Sequence, residues 1–123
     1  YGSILPNLIV NGMKEALKES KAKKIYVCNL FTKQGNIDFE ASDFVNEIEK
    51  YAGIRMDRII FNVERPSEEI IRKYFSENSK LVEDDLGEDE RVVRGEFAQA
   101  YLSEKKTILR HKPENIARVI ISL

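Results

Sequence analysis

The chain has 123 residues, 42% of them hydrophobic and 33% charged, a balance typical of folded proteins that excludes the weakly apolar, strongly charged composition of disordered chains. Its 20 Lys plus Arg stand against 21 Asp plus Glu, so the net charge of -1 gives no basic footprint for sequence-independent binding to nucleic acid or to an anionic membrane. A single cysteine and a single histidine exclude an internal disulfide and a multi-cysteine zinc site, and no run of about 18 apolar residues is present to span a bilayer.

This length suits one domain over residues 1–123. The lone cysteine, and an opening unlike a signal peptide, point to a reducing, cytoplasmic setting. Tyr1 to Asn7 read as the approach to a helix and not as a native start, so the expectation is a piece cut from a larger protein.

Pro6 suits the first turn of a helix, and Leu5, Ile9, Met13 and Leu17 recur every four residues, which predicts an amphipathic helix over 6–20 with Gly12 marking a close approach. Lys24 to Leu30 is short, rich in β-formers and apolar on both faces, as a buried parallel strand would be. After a polar loop, Ser42 is a candidate N-cap for a helix carrying Phe44, Val45, Ile48 and Ala52 on one stripe and ending at Gly53. The pattern repeats with a strand at Arg58 to Val63 and a helix at Ser67 to Ser76, capped by Ser67, with Ile70, Ile71, Tyr74 and Phe75 facing inward. Short strands are expected at Lys80 to Glu83, Arg91 to Arg94 and Thr107 to Arg110. A last helix starts near Pro113, with Ile116, Ala117 and Ile120 on one face. Residues 84–90 form an acidic stretch that reads as a solvated loop. The alternation predicts an α/β fold with an open, mostly parallel sheet.

In such sheets ligands sit beyond the carboxyl ends of the strands, which directs attention to the segments after Cys28, Val63, Glu83, Arg94 and Arg110. Asn29 to Asn36 offers amide, hydroxyl and glycine groups to a phosphate or ribose, or is an ordinary polar turn. Asn29 is the best single candidate there, because a polar side chain ending an apolar strand needs a partner. Asp38, Ser42 and Asp43 stand near a helix start, where capping competes with a ligand role, and Asn62 and Glu64 bracket the end of the next strand. Arg110-His111-Lys112-Pro113 places a planar fork of donors at a helix N-terminus, a plausible anion site or a surface partner for the acidic stretch. Tyr74 reads first as a core tyrosine, and Cys28 as inert packing with no basic neighbour in sequence. His111 alone builds neither a metal site nor a triad. No GxGxxG, GxxxxGK[ST], GxSxG or HExxH sequence occurs, so these residues amount to half a cleft and not a self-contained nucleotide or hydrolase site.

Three segments go further. YGSILPNLIV resembles GSLYTSILPNLLV, the run from Lys24 to Val45 resembles YVCNxMTQPGETDxxxASDHV, and LRHKPENIARVIISL resembles VRHDPxKLAxAIxxL. Together they resemble the CofD/YvcK family, which holds the 2-phospho-L-lactate transferases and the bacterial gluconeogenesis factors. The resemblance implies a Rossmann-like, three-layer α/β fold of which this chain is the C-terminal half; the absent N-terminal half would carry the GGGTG turn and the acidic residues of transfer chemistry. It points to the gluconeogenesis-factor branch, and so to a UDP-sugar-binding regulator of carbon metabolism, cell shape and envelope synthesis. The alternative is a phosphotransferase like the phospholactate enzyme, with a nucleotide-activated donor and magnesium. Carried over residue by residue, the family's ligand positions fall on Asn29, Thr32, Gly35, Asp38, Ser42, Asp43 and Asn62, with nucleotide-sugar contacts at Tyr74 and Arg110. No catalytic residue and no metal ligand carry over. Phe44 stands in place of the family's His, Lys33-Gln34 in place of Gln-Pro, Val63 in place of a second Asn, and Lys112 in place of Asp. The partners implied are a nucleotide-sugar, the absent half and a second copy covering an open sheet edge, with neither nucleic acid nor membrane.

Overall fold

A computed structural model describes every residue except Lys105. Its centre is a parallel three-stranded sheet in the order β1 (Ile25–Val27), β2 (Arg58–Asn62), β3 (Val92–Gly95), with Ile25 opposite Arg58 and Ile59 opposite Val92. As the middle strand, β2 is paired on both edges, and its alternating Ile59, Ile60 and Phe61 are all buried, so it is apolar on both faces as a strand covered on two sides must be. Helix α3 (Ala41–Ala52) presents Phe44, Val45 and Ile48 to the same cluster as Tyr26, Cys28, Ile59 and Phe61. Its stripe of apolar residues and its end at Gly53, which takes the left-handed conformation at φ +69°, are as expected.

Several expectations are corrected. The first helical segment is two short helices, α1 (Leu5–Leu8), which ends at Ile9, and α2 (Met13–Glu19), which starts from Gly12 at φ +86°; the space beside the Gly12 Cα is open, so its role is conformational and not close packing. β1 is shorter than its apolar run, because Leu30 and Phe31 leave β2 and turn toward residues 80–82, where a lone bridge joins Phe31 and Leu81 in place of the strand expected at Lys80 to Glu83. Helix α3 is capped at Glu40, whose backbone N–H donates to the Asp43 carboxylate at 2.8 Å; Ser42 lies inside the first turn.

Ser67 caps α4 (Glu68–Ser76) as expected, its hydroxyl accepting from the Ile70 N–H. No residue of α4 is fully buried, and Phe75 is 64% exposed instead of facing inward. The strand β4 (Ala98–Ser103) was not expected: it pairs antiparallel with β5 (Lys106–His111) to form a separate two-stranded sheet, and α5 (Pro113–Ser122) follows. The architecture is therefore a parallel sheet with an appended hairpin.

The acidic stretch is bound to the framework and not simply solvated. Asp84 pairs with Arg94 at 2.6 Å, and Asp85 accepts from the backbone and hydroxyl of Ser42. Asp89 grips Arg91, which holds that carboxyl down at about 2; the same guanidinium reaches Glu49 of α3 at 3.0 Å and so ties the helix to the start of β3.

Phe44 is fully buried at the meeting point of α3 and the sheet. Phe44→Ala should lower stability by about 3–5 kcal/mol, read as a shift in the urea midpoint with an unchanged slope.

Candidate functional site

The hairpin is tied back to the parallel sheet and to α4 by side chains. The Asn62 carboxamide, at the end of β2, accepts from the Phe97 N–H at 2.9 Å. The His111 ring, at the end of β5, donates from Nε2 to the carbonyl of Cys28 at 3.1 Å. The Lys73 ammonium donates to the carbonyl of Thr107 at 2.7 Å, and the Tyr74 hydroxyl accepts from the Leu109 N–H at 2.9 Å. These last two satisfy one acceptor and one donor of β5 that β4 does not pair, on an edge where an open strand leaves such groups exposed.

Between the loop after β1 and the strand β5 this leaves an open cleft of about 760 Å³. Asn29, Phe31, Thr32 and Lys33 line one side, Tyr74 the base, and Leu109, Arg110 and His111 the other. No carboxylate lines it. Arg110 is exposed and, among the described residues, forms no ion pair; the expected alternative, a bridge to the acidic stretch, is not made, and Asp84, Asp85 and Asp89 of that stretch are engaged by Arg94, Ser42 and Arg91. A guanidinium without a counterion in a cleft without carboxylates is suited to an anion.

The residues singled out in sequence separate into groups. Asn29, Thr32, Tyr74 and Arg110 come together in this cleft. Asn29 spends its carbonyl on the Tyr26 hydroxyl at 3.0 Å and retains amide hydrogens to donate. Thr32 is 1% exposed, its hydroxyl accepting from the Lys80 N–H, so its side chain shapes the wall. Gly35, at φ +97°, lies with Asn29 and Lys33 in an adjoining recess. Asn62 lines a smaller cavity of about 210 Å³ beside Asn29, with its own carboxamide committed to Glu64 and Phe97. Ser42 and Asp43 are held by Asp85 and by the Glu40 backbone, and with exposed Asp38 they lie outside these cavities. Lys33 and His111 were not among the expected contacts. The signal for Lys33 was its place in the loop after the first strand, and for His111 its place beside Arg110.

Burial pushes the Cys28 thiol up to about 12, so it is not a nucleophile. Burial also lowers the His111 pKa from its ordinary value, against the smaller opposing effect of its bond to the Cys28 carbonyl. Among the described residues no group of three or more His, Cys, Asp or Glu is gathered to hold a metal ion.

The chain matches the family model described as 2-phospho-L-lactate transferase CofD over residues 1–100. It is 39% identical to a putative gluconeogenesis factor of Thermotoga maritima, covering 98% of this chain and 40% of that protein. Identity to the gluconeogenesis factor of Bacillus subtilis is 31%, covering 100% of this chain and 39% of the relative. A crystal structure of a UPF0052-family protein from Bacillus halodurans superposes with a TM-score of 0.83 at 29% identity, over 95% of this chain and 38% of that one. The chain thus spans about two-fifths of the length of the relatives it matches.

The sole imidazole makes the site readable by NMR. Because the folded chain protonates His111 less readily than the unfolded chain, stability should fall as pH drops below 6.5 toward the folded midpoint, and this group should have no effect well above 6.5. His111→Gln keeps a donor for the Cys28 carbonyl but does not titrate. Its urea midpoint should vary less with pH over about 5 to 7 than that of the parent; parallel curves would contradict the assignment.

Proposed function

The chain belongs to the CofD family, and from that membership we propose that it supplies one wall of a nucleotide-sugar-binding cleft in a regulatory protein of the gluconeogenesis-factor kind. The observation that carries the proposal is Arg110, a guanidinium without an ion-pair partner among the described residues, facing a loop whose Asn29 retains free donors in a cleft without carboxylates. A diphosphate supplies the negative charge that this wall lacks, and a guanidinium can grip two of its oxygens at once. Asn29 suits a ribose or sugar hydroxyl, and the Tyr74 ring lies at the base of the same cleft. The resemblance to gluconeogenesis factors supports a UDP-sugar as the ligand, the cytoplasm as the compartment, and control of carbon metabolism, cell shape and envelope synthesis as the role. The remainder of the longer protein would form the facing wall, and a second copy is a further candidate cover for open strand edges.

A second reading has one specific observation behind it, the match to a family described as a transferase. Phosphotransfer from a nucleotide-activated donor would need magnesium and a base placed beside the acceptor. On this wall the titratable candidate is His111, half-buried and already donating to Cys28. Regulation by binding is the reading this wall supports better.

Titrating the full-length protein with UDP-sugars should give saturable binding, weakened tenfold or more by Arg110→Ala, since losing a charged partner of a phosphate leaves that charge unmatched. No binding by the parent protein, or equal binding by the variant, would refute the proposal. Product formation from a nucleotide-activated donor would favour the transferase reading.

A further inference from the structure

Arg110 is exposed and makes no side-chain hydrogen bond or ion pair among the described residues, so its position depends on its backbone. Both of its neighbours in sequence are tethered, and to different elements. On one side the Leu109 N–H is held by the Tyr74 hydroxyl of α4 at 2.9 Å; on the other the His111 ring is held by the Cys28 carbonyl beyond β1 at 3.1 Å. The Tyr74 ring is fixed in turn: it lies flat against Phe31, with centroids 4.1 Å apart and planes 6° from parallel, and Phe31 is buried and bridged to Leu81. Phe31 belongs to the opposite wall of the cleft. Tyr74 therefore spans the cleft, braced by its ring on one wall and gripping the other through its hydroxyl.

We infer that Tyr74 is a positioning residue: its hydroxyl, anchored by stacking on Phe31, holds β5 at the place where Arg110 meets the ligand's phosphates. This deepens the proposed function and rests on it only for the identity of the ligand. Phe31 covers one face of the ring and the Leu109 N–H takes an acceptor position of the hydroxyl, so both the ring and the hydroxyl are engaged in holding the strand. The neighbouring Lys73, which donates to the Thr107 carbonyl two residues earlier along β5, extends the same brace. Removal of the hydroxyl should act on the ligand through Arg110 and not beside it.

Tyr74→Phe keeps the ring and its stacking and removes only the hydroxyl. In the full-length protein without ligand, hydrogen exchange of the Leu109 amide should speed up about tenfold, because a donor loses its sole acceptor. UDP-glucose binding should weaken about tenfold in Tyr74→Phe, yet change less than about twofold when the same substitution is added to Arg110→Ala, since residues acting through one group are not additive. Unchanged exchange at Leu109 would overturn the inference. So would a full additional weakening in the Arg110→Ala background, which would mean an independent contact. If the parent does not bind UDP-glucose, the proposed ligand falls, and the exchange measurement alone still decides whether Tyr74 holds the strand.

Discussion

The cleft exists because a hairpin that shares no ladder with the parallel sheet is nevertheless fastened to it, and the fastening that joins it directly to the end of β1 is the His111 ring on the carbonyl of Cys28. Without such ties β4 and β5 would form an isolated two-stranded unit, which in water is marginally stable at best. The interaction needs a carbonyl acceptor at a strand end and a ring N–H to donate to it; burial favours the neutral ring, and the bond itself partly offsets that preference. The Asn62–Phe97 bond, the Lys73 and Tyr74 contacts and the ion pair of Lys112 with Glu64 at 3.1 Å repeat the same solution at other points. They are side-chain substitutes for strand pairing.

The electrostatics follow from where the carboxylates are used. The chain carries slightly more acidic than basic groups, yet no carboxylate lines the cleft. Asp84, Asp85 and Asp89 are committed to Arg94, to Ser42 and to Arg91. That division leaves Arg110 without a local competitor, so an anion entering the cleft does not have to displace an internal ion pair.

Much of the framework was legible in the sequence because its periodicities are strong. The apolar run around β1, the residues of β2, the stripe of α3 and the Ser67 cap of α4 each follow from one local rule. The hairpin was not legible in full. Ala98 to Ser103 has neither the β-branched residues nor the clean alternation that mark a half-buried strand, and the bonds that hold this hairpin, from α4 to β5 and from Asn62 to Phe97, join residues far apart in sequence. The helix expected over 6–20 was broken because residue spacing is blind to the left-handed conformation adopted by Gly12. Of the site, Asn29 and Arg110 could be placed by the rule that ligands meet strand ends. The capping role of Asp43 was legible because Glu40 lies three residues away, whereas the tasks of Ser42 and Asn62 were hidden, since they are bonded to Asp85 and Phe97, whose proximity only the fold creates. The same holds for Tyr74, whose partner Leu109 lies 35 residues away.

The central claim is that the ligand is an anion received between the Asn29–Lys33 loop and Arg110. The most direct test is to map the backbone and arginine side-chain NMR shifts of isotope-labelled full-length protein during titration with UDP. The account predicts saturating shifts at Asn29, Lys33, Leu109 and Arg110, with Ser42, Asp43 and Asp85 unmoved. Shifts centred on the Ser42–Asp85 side of α3, or none on either wall of the cleft, would contradict it.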